Sequence, residues 1–145
     1  MTIEELKEQI EKEFTNIDRV AGELSALYTA EKSDYVLAEQ AAIAAFIVNI
    51  YSGFERILKH MLLYDKLDVH DSPEWHEKVL RKSSEIGILP PDLFQILTNY
   101  LSFRNYFIYN YVFNINRENM KALADALGGI AERFKSEVNE YLQTI

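Results

Sequence analysis

The 145-residue chain is predicted to be all-α, an antiparallel bundle of four long helices with one short helix. Three observations predict it. Apolar residues recur at steps of three and four along most of the sequence, which is the helical period. Glycine and proline number only 5 and 3, too few for a turn-rich all-β fold. No segment shows a convincing strand alternation. With no linker, repeat or break in composition, the reading is one domain over residues 1–145. A chain of this length buries about 68–70% of its unfolded surface on folding, enough for a core.

The first helix is expected from about Thr2 to Ala30. Ile3, Leu6, Ile10, Phe14, Ile17, Val20, Leu24 and Leu27 form its apolar stripe, and Thr2 with Glu5 has capping-box spacing. Ser33 is expected to open a second helix reaching Tyr64. Its middle, AAIAAFIVNIYSGF, is apolar on more than one face, which suits a central helix or a dimer interface. Gly53 inside it costs about 1 kcal/mol against alanine, and close helix packing is the expected compensation. Ser72 and Pro73 then read as N-cap and first residue of a short helix ending near Ile86, with Gly87 as its stop. Pro90-Pro91 starts a fourth helix carrying Leu93, Ile96, Leu97, Tyr100, Leu101 and Phe103 past Arg104. The pattern lapses around residues 113–116. Asn116 is expected to cap a last helix with Met120, Leu123, Leu127, Ile130, Phe134, Val138 and Tyr141 as its stripe, loosened or bent at Gly128-Gly129.

Composition excludes several classes of chemistry. There is no cysteine, so no disulfide, thiolate zinc site or cysteine nucleophile exists. The longest unbroken apolar run, Ala41 to Val48, falls short of the ~20 residues that span a bilayer. The charged, helical start MTIEELKEQIEKEF is unlike a signal peptide, so a cytoplasmic location without membrane attachment is expected. The net charge of −8 weighs against non-specific nucleic-acid binding, which relies on Lys and Arg to release counterions. It leaves room for a local basic site, for which Arg56, Lys59, Arg81, Lys82 and Arg104 are the candidates.

None of His60, His70 and His76 follows a Glu or Asp at the spacing of a di-metal helix, and no zincin, nucleophile-elbow or dinucleotide motif occurs. Asp65, Asp68 and Asp71 lack the glycine and closing glutamate of a calcium loop and read as a solvated turn. His76 reads as a packing or surface histidine beside Trp75, and Trp75 as an anchor for the short helix. Neither a metal nor a cofactor is therefore expected.

One stretch stands apart. Residues 103–115, FRNYFIYNYVFNI, set one arginine among Tyr106, Tyr109 and Tyr111, with Tyr100 just before them. On a helix, Arg104, Ile108 and Tyr111 share roughly one face with Tyr100 a turn earlier, while Asn105 and Tyr109 are neighbours at a step of four. A guanidinium among aromatic rings suits a phosphate or a nucleobase, because it pairs with the first and stacks on the second. The plain alternative is an aromatic core face with Arg104 in a salt bridge.

The blocks IYSGFERILKHM, SPEWHEKVLRKSSEIG followed by Pro-Pro, and YLSFRNYFIYNYVFNINRENM resemble the HepT-like branch of the HEPN proteins. These are the toxin halves of HEPN–nucleotidyltransferase toxin–antitoxin pairs. The resemblance spans most of the chain. The family motif is an arginine, four to six residues, and a histidine, often continued as His-x-Tyr. Arg104 matches the arginine, Asn105 the polar residue that often follows it, and Tyr111 the closing tyrosine. The histidine position falls on Tyr109, and no histidine occurs from 105 to 111.

The resemblance implies an all-α homodimer of a type VII-like system, a metal-independent endoribonuclease with its two motifs facing one another across the interface. It also implies silencing by a minimal nucleotidyltransferase antitoxin that transfers AMP to the motif tyrosine, here Tyr111. Arg104 would clamp phosphate and Asn105 would position it. The departure at Tyr109 counts against catalysis. A tyrosine of ordinary pKa ~10 is ionised about once in a thousand at pH 7, whereas histidine exchanges protons freely there. A general acid or base is worth about 10²–10⁴-fold, so RNA cleavage by the family route is expected to be weakened or lost. The alternative is a non-catalytic HEPN dimer that binds a nucleotidyltransferase or nucleotide.

Overall fold

The computed structural model describes residues 1–67 and 74–145. The expected Ser72 cap, the Pro73 start, His70, Asp68 and Asp71 lie outside the described residues. The architecture is an all-helical bundle: α1 (Ile3–Leu27), α2 (Leu37–Tyr64), α3 (Trp75–Glu85), α4 (Pro91–Tyr109), a 3₁₀ turn at Val112–Asn114, and α5 (Arg117–Leu142).

α2 organises the rest, because it packs against α1, α3, α4, α5 and the 3₁₀ turn. Its buried residues, including Ile43, Ile47, Ile50, Phe54, Ile57, Leu58 and Met61, lie on more than one side of the helix, as a central helix requires. Phe54 meets Phe134 of α5 with ring centroids 4.5 Å apart. α1 lies close along α2 at Gly53, where a Cβ would stand 2.6 Å from Ile17 Cγ1. The glycine is there because the Ile17 side chain of α1 occupies the space a Cβ would take.

The helix ends follow local chemistry. Thr2 Oγ1 accepts the Glu5 amide hydrogen at 3.1 Å, as its spacing predicts. α2 starts at Leu37 rather than Ser33. The Tyr35 hydroxyl donates to the Thr29 carbonyl and accepts from the Thr29 amide, holding residues 29–35 in a loop. The Val36 amide then donates to Glu39 Oε1 at 3.0 Å, which sets the helix start. α3 stops where expected. Gly87 has φ +92°, a left-handed conformation that closes a helix and favours glycine. Pro91 is the first residue of α4 and Asn116 Oδ1 accepts from the Asn119 amide at 2.9 Å to cap α5. α5 runs unbroken through Gly128-Gly129. Its Arg133 clamps Asp92 at the start of α4 through two hydrogen bonds, 2.5 and 2.8 Å. Its Lys135 reaches Asp18 of α1 at 2.8 Å.

Candidate functional site

The aromatic run divides into structural and exposed members. Tyr100 is buried, and its hydroxyl donates to the Leu123 carbonyl of α5 at 2.7 Å. Burial pushes that hydroxyl's pKa well above the usual tyrosine value. Tyr106 donates to the Asn114 carbonyl at 3.0 Å and ties the 3₁₀ turn back to α4. Tyr109 and Tyr111 face solvent instead, 82% and 72% exposed.

The expected helical face of Arg104, Ile108 and Tyr111 does not form as a whole. α4 ends at Tyr109 because Asn110 turns extended, φ −130° and ψ 161°, while its side-chain amide donates to the Tyr106 carbonyl at 3.0 Å. Asparagine competes with the helix in this way through its own short polar side chain. Tyr111 therefore lies beyond the helix, where its ring stacks on Phe113 at 5.3 Å and 10°. Tyr100, buried in the core, does not belong to the exposed face either.

Arg104, Asn105, Ile108 and Tyr109 do come together. They form one wall of a cleft of about 390 Å³, and the start of α3 with Glu74, Trp75, His76 and Glu77 forms the other. Arg104 Nη1 donates to Asn105 Oδ1 at 2.8 Å. Among the described residues no carboxylate is in ion-pair contact with Arg104, so the salt-bridge alternative is not what the structure shows. The guanidinium keeps donors for an anion, and Asn105 sets its plane.

The second wall holds residues to which the sequence reading gave no role in the site. His76 Nδ1 lies 2.6 Å from Glu55 Oε1, and the Glu55 side chain is only 4% exposed. The His76 ring also packs on Trp75, centroids 3.9 Å apart. Trp75 in turn carries Lys59 Nζ over its face at 4.7 Å. Among the described residues, the other oxygen of Glu55 and the hydroxyl of fully buried Tyr51 make no hydrogen bond of normal geometry, although the two groups interact with one another. Burial raises the pKa of that hydroxyl far above its ordinary value; Glu55's charge adds to the rise and Arg104's charge opposes it. Glu55, Tyr51 and Arg104 therefore feel one another beneath the cleft. One signal for this was legible. Tyr51, Glu55 and Lys59 recur every four residues on an otherwise apolar helix, and an inward carboxylate requires a partner.

Of the candidate basic residues, Arg104 lines the cleft and Lys59 stands at its Trp75 wall. Arg56 is taken by Glu13 at 3.2 Å and Arg81 pairs with Glu77 at 3.9 Å. Among the described residues no group of three His, Asp or Glu side chains is disposed to hold a metal ion. Asp65 instead accepts a hydrogen bond from Tyr141 at 3.0 Å.

No curated protein matches the chain. The family model for HepT-like proteins matches residues 42–145, from within α2 to the C-terminal residue, and thus covers α3, α4 and α5 entirely. The chain belongs to this family.

Proposed function

Proceeding from membership of the HepT-like family, we propose that the chain is the toxin component of a toxin–antitoxin pair. On this reading it is a cytoplasmic homodimer on an endoribonuclease scaffold, its RNA phosphate held by Arg104 and Asn105. A nucleotidyltransferase partner silences it through Tyr111. The phenol oxygen attacks the α-phosphorus of ATP, an O–P bond forms, the phenol proton is lost and pyrophosphate leaves. A phosphate and nucleoside added there bring charge and bulk to the RNA-binding face.

The observation that carries this reading is the placement of the motif. Arg104, Asn105 and Tyr109 line one cleft, and Tyr111 is exposed as a modification acceptor must be. The uncovered side chains of Tyr109, Tyr111 and Phe113 support a second copy or a partner on this end of the bundle. Tyr109 in place of the motif histidine weakens cleavage by the family route. It also favours the second reading, a dimer that binds a nucleotidyltransferase or nucleotide without cutting.

The test is RNA cleavage and binding by the purified chain in chelator, beside Arg104→Ala. The expected result is loss of both in the variant with the fold intact. Incubation with labelled ATP and a candidate nucleotidyltransferase should label the chain but not Tyr111→Phe. Binding of the nucleotidyltransferase with no cleavage by any form selects the second reading.

A further inference from the structure

Tyr109 leaves one chemical function unfilled in the cleft, a group that takes up a proton near neutral pH. His76 meets the geometric requirements. It lies on the wall opposite Arg104 and Tyr109, with a side chain 19% exposed, so the ring is both fixed and reachable. Its Nδ1 is 2.6 Å from a buried glutamate. A carboxylate can only accept, so Nδ1 carries the hydrogen, and in the neutral ring Nε2 then keeps its lone pair. That is how a carboxylate orients a catalytic imidazole. Trp75 on one side and Glu55 beneath restrict the ring to this pose. A buried carboxylate is costly without partners, and among the described residues one oxygen of Glu55 makes no hydrogen bond of normal geometry. Its placement under a cleft histidine gives that burial a purpose.

We infer that His76, held by Glu55, is the general base of this cleft, and that Tyr109 is its general acid. The inference rests on the reading of the cleft as an RNA-cleaving site. His76 Nε2 accepts the proton of an RNA 2′-hydroxyl, whose oxygen bonds to the adjacent phosphorus held by Arg104. The bond from phosphorus to the 5′ oxygen breaks, and that oxygen takes the hydroxyl proton of Tyr109. The proton on His76 returns to the tyrosine oxygen through water, so the protein ends as it began. The products are a 2′,3′-cyclic phosphate and a 5′-hydroxyl. Tyrosine is a poor base at neutral pH because it is protonated, and for the same reason it can serve as an acid toward an alkoxide. Glu55 is a positioning residue.

The experiment uses the full chain and a short single-stranded RNA in chelator, with folding followed by circular dichroism and thermal melts. The chain is expected to cut, leaving a cyclic phosphate. His76→Ala should lose about 10²–10⁴-fold in rate, and free imidazole should restore part of it. Glu55→Gln should lower kcat with KM unchanged. His76→Gln carries the rate comparison should the alanine variant fail to fold. A folded His76→Ala that cuts at the parent rate overturns the inference. So does a loss that imidazole leaves unrepaired, which is what a purely structural histidine gives. If the chain itself does not cut but Tyr109→His does, the inference falls and the cleft remains an RNase scaffold. If neither cuts, both fall.

Discussion

Tyrosines two residues apart in this chain, or one helix turn apart, do different work because their hydroxyls end in different surroundings. Tyr100 donates to the Leu123 carbonyl inside the core. Removing that oxygen forfeits one buried hydrogen bond while the Leu123 carbonyl keeps its place in the α5 ladder, at a cost of about 0.5–1.5 kcal/mol. Tyr100→Phe should therefore lower the urea midpoint by a corresponding amount and leave RNA binding per folded molecule unchanged. Tyr109→Phe should leave the midpoint unchanged, since an 82% exposed ring contributes little to stability, and should slow RNA cleavage rather than weaken RNA binding. At this scale the sequence was legible for Arg104, Asn105 and Tyr109, whose neighbourhood depends only on the turn of one helix. It was not legible for Glu55 and His76. They are 21 residues apart on different helices, and their contact is created by how α3 lies on α2. Tyr111 was placed on the helical face because nothing in the period announces that Asn110 will turn extended. That outcome follows from one side-chain amide taking the Tyr106 carbonyl.

At the scale of elements, the position of the cleft depends on α2. The helix presents Tyr51, Glu55 and Lys59 toward the α3–α4 side while its other faces hold α1 and α5. The glycine that lets α1 approach is thus also part of what keeps α2 in place. At Gly53 a Cβ would sit 2.6 and 2.9 Å from Ile17 Cγ1 and Cδ1. Ile17 is buried and β-branched, so its side chain has little freedom to retreat. Overpacking of this kind costs about 1–3 kcal/mol, against a gain of about 1 kcal/mol from replacing glycine in a helix. Gly53→Ala should be destabilising on balance, with a melting temperature lower by a few degrees. Gly22→Ala on α1, where a Cβ meets nothing within 4 Å, should raise it. Both melts are read by circular dichroism, and a stabilised Gly53→Ala would mean that the α1–α2 contact is not the reason for the glycine. The sequence showed the glycine as an anomaly in an apolar helix, and the packing supplies the cause.

At the scale of the whole molecule, the proposed function asks an acidic protein to bind a polyanion. Net charge −8 repels RNA at long range, so binding has to come from cations concentrated at the cleft. Several of the 15 basic residues are engaged by carboxylates. Arg56 is held by Glu13, Arg81 by Glu77, Lys121 by Asp125, Arg133 by Asp92 and Lys135 by Asp18. The cleft itself offers Arg104. About one phosphate per protomer can then be neutralised there. Each phosphate contact on a single strand contributes about −0.7 to the slope of log affinity against log salt. A two-fold dimer using both clefts should therefore show a slope of about −1.4, shallow for an RNA-binding protein. Arg104→Ala removes one contact from each protomer and should flatten the slope by about 1.4. Fluorescence anisotropy with a labelled single-stranded RNA over a series of salt concentrations measures both. A slope twice as steep, unaffected by Arg104→Ala, would place the RNA on a different surface. The exposed pairs that now neutralise one another would then have to open to receive it, and the cleft would be left to the nucleotidyltransferase.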